Sequence, residues 1–234
     1  MPPKPGPETG PKPGPETTPE APRDPAMLLH RWLSPSYPVG AFAYSHGIEA
    51  AVADGLVFDT PSAARWITGV MAQGAGRNDA ILLAAAWRAP DARTVAELAE
   101  LASALAPSSG RRLETEAQGA AFAGTTAAVH GIELAPAPYP VALGRAARLL
   151  SLPLDLTLRL FLLAFASNLT SAAIRLVPLG QTDGQRLLSA LEPRLEALAV
   201  ETAPGDLDAL GSSAVLSDIA AMRQEVLTTR LFRS

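Results

Sequence analysis

From Ala26 onward, Ala and Leu dominate this chain, β-branched alternation is scarce, and prolines cut the sequence at intervals a single helix could fill. The cuts fall at Ala89-Pro90, Ala106-Pro107, the Pro136 to Pro140 cluster, Leu152-Pro153, Val177-Pro178 and Pro204-Gly205. Strong helix formers without a period of two exclude a sheet, so the pattern predicts an all-α fold of about eight to ten helices. Most of these segments are too short to be helical alone and must pack. Residues 153–177 are apolar nearly all round, which suits a central helix wrapped by the others. With 48% hydrophobic residues in 234, one compact helical bundle has ample core material. Thr60 before Pro61, Thr94 with Glu97, and Thr182 with Gln185 read as helix starts.

Residues 1–25 differ in kind. They hold a near-repeat, PKPGPETG then PKPGPETT, with almost no apolar side chains to offset the entropy cost of ordering. A disordered Pro/Gly-rich leader over 1–25 is expected, an inert spacer or a docking arm, followed by a helical domain over 26–217 and a distinct tail over 218–234.

Composition removes several chemistries. There is no cysteine, hence no disulfide, thiolate nucleophile or thiolate metal site. The lysines, Lys4 and Lys12, both lie in the leader, which takes Schiff-base and P-loop lysine chemistry out of the domain. A net charge of −4 with interspersed signs gives no footprint for nucleic acid. The apolar run Leu160 to Ile174 is broken by Ser167, Asn168, Thr170 and Ser171 and falls short of the roughly 18 residues of a membrane span, so no membrane is expected and a cytoplasmic protein follows.

No catalytic or metal-binding set emerges. His30, His46 and His130 are far apart and form no HxxxH or HExxH pattern. Adjacent Ser45 and His46 cannot form a dyad along one helical turn, and no GxSxG elbow exists. The GAG at Gly74 to Gly76 reads as a helix terminus. GQTDGQ, with Gln181 and Asp183, lacks the strand and lysine of a phosphate loop and reads as a turn or a recognition element. Glu114 and Glu116, like Glu97 and Glu100, read as solvated helix faces.

Two segments stand out as contact surfaces. In SYPVGAFAYSHGIEAAVADGLV, Pro38 restricts Tyr37, Gly40 opens a conformation closed to other residues, and Ser45 is placed to cap the helix that follows. A rigid loop presenting Tyr37, Pro38, Gly40, Phe42, Tyr44, Ser45, His46, Gly47 and Glu49 is expected. His46 makes either an orienting hydrogen bond or a partner contact. In DIAAMRQEVLTTRLFRS, Ile219, Met222, Val226, Leu231 and Phe232 offer apolar anchors, and Arg223, Arg230 and Arg233 add cations beside Glu225. Such a short tail is not expected to hold itself in place. It orders on a partner or, in the other reading, docks as a final helix on the chain's own core.

PVGAFAYSHGIEAAV, RLVPLGQTDGQ and DIAAMRQEVLTTRLFRS, with LETEAQGAAF and YPVALG between them, resemble the UreF family of urease accessory proteins in the family's order. The resemblance runs from about Leu28 to the last residue. It implies an all-helical, non-enzymatic assembly protein, commonly a homodimer, that bridges UreD (also called UreH) and the GTPase UreG for GTP-dependent nickel insertion into apo-urease. Nickel and GTP are then handled by the assembled complex, with no cofactor bound directly. It further implies a UreD-binding role for the tail and leaves a UreG contact near Gln181 and Asp183 open. One position departs from the pattern: the family often has His after Arg in the tail, where Gln224 follows Arg223 here, so no tail-histidine nickel relay carries over. An alternative role is direct stimulation of UreG by an arginine acting in trans on the phosphoryl group.

Overall fold

The computed structural model describes residues 24–233, so the expectation for the leader lies outside the described residues except at Asp24 and Pro25, which already begin the first helix. The described chain is helical, with no strand: α1 (Pro25–Leu33), α2 (Ile48–Ala53), α3 (Thr60–Gln73), α4 (Ala75–Arg88), α5 (Ala92–Ala104), α6 (Ser109–His130), α7 (Tyr139–Leu149), α8 (Leu154–Leu176), α9 (Gln181–Thr202) and α10 (Val215–Gln224). Single 3₁₀ turns lie at Ala41–Ala43 and Leu207–Ala209. Every proline cut named above falls between two helices or, at Pro140, in the first turn of one, and Gly74 both ends α3 and opens α4.

The helix starts are made by other residues than expected. Asp59, not Thr60, caps α3: its carboxylate accepts from Ser62 N at 2.8 Å while Ser62 Oγ bonds back to Asp59 N. Asp91, not Thr94, caps α5 by accepting from Thr94 N. An aspartate in extended backbone supplies both the acceptor and a negative charge at the positive helix end, so it takes the cap when it lies one to three residues upstream of a threonine. Gly180 opens α9 and Gly47 opens α2, neither with a side-chain cap, so Thr182 and Ser45 do not serve as caps.

α8 is the central element, in contact with α1, α2, α3, α4, α7 and α9. Leu158, Phe161, Leu162, Ala166, Leu169 and Ala173 are buried along it and meet Leu29, Trp32, Ile67, Leu83 and Phe122 in the main core. Each leucine, isoleucine and phenylalanine among them contributes about 1.5 to 3 kcal/mol by leaving water. α8 is the one helix among the described residues long and apolar enough to cross a membrane by length and composition, and its packing on six neighbours identifies it as a core helix. A smaller cluster of Leu82, Ala86, Leu98, Ala102 and Val141 seats α5 on α4 and α7.

Candidate functional site

The loop from Ser34 to Gly47 is tied at several points to α6, α8, α10 and the C-terminal segment. Tyr37 lies inward, its hydroxyl 2.8 Å from Thr126 Oγ1 on α6 and its ring tilted against Phe122. Gly40 turns the chain at φ 73° into the 3₁₀ turn. There Asn168 Nδ2 of α8 donates to Ala41 O at 3.1 Å, Arg175 Nη1 to Phe42 O at 3.1 Å, and Arg233 N to Ala43 O at 2.8 Å. Tyr44, Ser45 and His46 then run through the interior, His46 at φ 53°, to Gly47 at φ 77°. A Cβ on Gly47 would lie 2.7 Å from Ala221 N, so the close approach of α2 and α10 requires glycine.

The C-terminal segment closes over this loop. Glu49 is the latch: its carboxylate accepts from Leu231 N at 2.7 Å, Phe232 N at 3.0 Å and Gln224 Nε2 at 2.8 Å. Gln224, fully buried, also accepts from Ala50 N. Arg223 pairs with Asp54 at 2.8 Å, and Glu225 accepts from Ser109 Oγ and Gly110 N at the start of α6. Those two donors hold the Glu225 carboxyl below its ordinary range. Phe232 is 3% exposed, with the Arg175 guanidinium 4.4 Å above its ring. The tail therefore does hold itself in place, against the expectation above: charge-assisted bonds and one buried aromatic supply what length alone could not.

The candidate residues thus divide by exposure. Tyr37, Tyr44, Ser45, His46, Gly47, Glu49 and Phe232 are buried and shape the surface. Pro38, Phe42, Met222, Arg223, Glu225, Arg230, Leu231 and Arg233 are exposed and form it, with Gly40 half-buried between them. Gln181 and Asp183 belong to the first turn of α9, where Asp183 pairs with Arg186 at 3.0 Å. α10 buries its small face, Ala220 and Ala221, and turns Val215, Leu216, Ile219 and Met222 outward, continued by Val226 and Leu231. This is the reverse of a helix that serves only its own core.

Beneath the loop lies a buried charged cluster that local sequence did not suggest. Glu114 is not on a solvated face. It is 2% exposed and ion-paired with Arg111, and its Oε1 lies 3.1 Å from His46 Nε2. Arg111 Nη1 lies 3.2 Å from the same nitrogen. Burial, then the Arg111 charge, pushes the His46 pKa down, with Glu114 opposing. Burial pushes Asp79 of α4 up to about 7 against the pull of Arg111, with Glu114 adding to the rise. Glu116, by contrast, is a surface partner of Arg112 and Ser103. Among the described residues, no group of three or more His, Asp or Glu side chains is placed to hold a metal ion.

A family model described as UreF matches residues 57–192, which stops short of both the loop and the tail. The chain is similar over a longer span to curated relatives, each named urease accessory protein UreF. That of Cereibacter sphaeroides (strain KD131 / KCTC 12085) is 57% identical over 208 residues, covering 89% of this chain and 98% of the relative. The Ruegeria pomeroyi relative is 47% identical over 208 residues, covering 89% and 96%, and that of Rhodopseudomonas palustris (strain BisB5) 47% over 219 residues, covering 88% and 90%.

Proposed function

Because this chain belongs to the UreF family of urease accessory proteins, with a role in urease maturation, we propose that it is a non-catalytic cytoplasmic adaptor that bridges UreD and the GTPase UreG. Nickel is the cargo of the assembled complex, delivered to apo-urease at the expense of GTP, and neither nickel nor GTP has its resident site on this chain. The observation that carries the reading is the outward apolar face of α10, Val215, Leu216, Ile219 and Met222, continued by Val226 and Leu231. An exposed stripe of this kind is an interface in want of a partner, and the cations Arg223, Arg230 and Arg233 around it supply the hot-spot chemistry of a protein contact. The loop at Phe42 lies against the same C-terminal segment, so UreD meets one continuous, pre-organised surface. Two copies of the chain form the twofold unit that presents two such surfaces. UreG is met elsewhere, at a face that includes Gln181 and Asp183. Holding UreD and UreG together raises their effective concentration, and preference for one nucleotide state of UreG couples the adaptor to the GTPase cycle.

The test is co-purification with UreD, followed by addition of UreG. Deleting the whole of α10 would strip Ala220 and Gln224 from the core, so the informative variants keep it. The native chain is expected to retain UreD and then recruit UreG, whereas Ile219→Asp with Met222→Asp loses UreD by tenfold or more while its circular dichroism is unchanged. If the folded double variant binds UreD as well as the native chain does, α10 is not the contact. If the native chain itself retains no UreD, the bridging reading fails.

A further inference from the structure

Trp87, in the last turn of α4, is surrounded by arginines that lack carboxylates. The Arg148 guanidinium of α7 lies 4.9 Å over its ring, and its indole Nε1 donates to Leu152 O at 3.0 Å. Next to it, Arg88 donates from Nε and Nη2 to Ala203 O at 3.1 and 2.9 Å, and Arg145 Nη1 donates to Ala89 O at 3.3 Å. Three guanidinium-bearing side chains thus gather around residues 87–89, where α4, α7 and α9 end. Arg88 and Arg148 are exposed, Arg145 and Trp87 are half-buried, and Leu149 follows Arg148 at the surface.

Elsewhere on the surface Arg93, Arg112, Arg159, Arg186 and Arg223 each pair with a carboxylate at 3.0 Å or less. Among the described residues, Arg88, Arg145 and Arg148 have no ion pair. Asp91 feels the Arg145 charge, but its carboxylate is held first by the Thr94 N–H and hydroxyl as the cap of α5. Ala89 and Ala203 are the C-caps of α4 and α9, and a helix end carries only about half a negative charge, so capping places Arg88 and Arg145 without neutralising them. Each guanidinium keeps donors free in the planar fork that matches a carboxylate, and Trp and Arg are the residue types that dominate interface energetics. We propose that Trp87, Arg88, Arg145 and Arg148 form a docking site for a short acidic segment of a partner protein, its carboxylates on the guanidinium groups and an apolar side chain against Trp87 and Leu149. The site lies at the start of α8, whereas the loop and tail hold that helix at Asn168 and Arg175, roughly 20 to 30 Å along its axis. A segment bound here leaves α10 free, and the inference is independent of the adaptor reading.

The end-capped peptide Glu-Glu-Leu-Glu-Glu and its uncharged counterpart Gln-Gln-Leu-Gln-Gln are the probes, and the indole N–H resonances of the ¹⁵N-labelled native chain are the readout. Trp32, fully buried in the core, is the internal comparison. The acidic peptide is expected to shift the Trp87 signal saturably, leave that of Trp32 in place, bind at least tenfold more tightly than the uncharged one, and weaken as salt is raised. Arg148→Glu is expected to weaken it tenfold or more, whereas Arg112→Glu, the same change in net charge on α6, leaves it unaltered. Equal affinity for the two peptides, an unmoved Trp87 signal, or equal losses in the two variants would each overturn the assignment. Inorganic phosphate that displaces the acidic peptide at equal concentration would also overturn it, in favour of a phosphate site. The comparison of peptides on the native chain stands even where a variant does not fold.

Discussion

Gly47 and Gly40 share the left-handed region, at φ 77° and 73°, but differ in surroundings. Nothing lies within 4 Å of a Cβ on Gly40, whereas one on Gly47 would strike the backbone of α10. Gly40→Ala therefore pays only the conformational term, about 1 kcal/mol, while Gly47→Ala adds a steric collision, for a loss on the order of 3 kcal/mol. Urea midpoints of the two variants at constant slope check the difference; equal losses would show that α10 moves aside without penalty. At this scale the site was only half legible in sequence. The residue types that stiffen a loop are those that make it adhesive, and which of them turn inward is decided by α6 and α8, far along the chain. Glu114 and Glu116 show the same limit. Two positions apart on a helix they face different sides, so one joins Arg111 and His46 in the interior and the other meets water.

Among elements, the junction of α2 with the C-terminal segment is held by the Glu49 carboxylate rather than by length of contact. Glu49→Gln keeps the shape but turns an amide toward two backbone donors and removes the charge from three hydrogen bonds. Amide exchange at Leu231 and Phe232 is expected to accelerate by about 10- to 100-fold, while protection in α8 is unchanged, because a terminal segment opens without unfolding the core. Uniform acceleration across α8 would instead make the latch part of the global fold. Gln224 is integral to this junction, bridging Glu49 and Ala50 N, which gives the departure from the family's tail histidine a structural role. Helix number and the proline cuts were legible because backbone chemistry sets them locally. The caps were not, since Asp59 and Asp91 compete with nearby threonines and win through charge, and the docking of the tail depends on Glu49, more than 180 residues away.

Over the whole molecule, the buried trio of His46, Arg111 and Glu114, with half-buried Asp79 beside it, ties cooperative stability to pH in two opposing ways. Asp79 is raised from 3.8 to about 7 in the folded state, so between those values the folded chain holds a proton that the unfolded chain has released. Its contribution is complete below 3.8, falls as pH rises toward 7, and stays low above that. His46 is depressed from 6.5, so below 6.5 the unfolded chain takes up a proton that the folded chain refuses, and stability falls on acidification. In the native chain the two slopes oppose each other below pH 6.5. Asp79→Asn removes one of them. It is expected to unfold at higher urea than the native chain at pH 8, where the native carboxylate is charged and only partly solvated, and to lose that advantage progressively toward pH 5, where the native side chain is itself neutral. The same variant should show the His46 slope uncovered, with stability decreasing more steeply than native from pH 6.5 downward. Urea unfolding at half-unit steps from pH 4.5 to 8 reads both effects. A pH profile for Asp79→Asn parallel to that of the native chain would show that Asp79 ionises alike in the folded and unfolded states, and with it that solvent reaches the carboxyl despite the nearby Arg111 and Glu114.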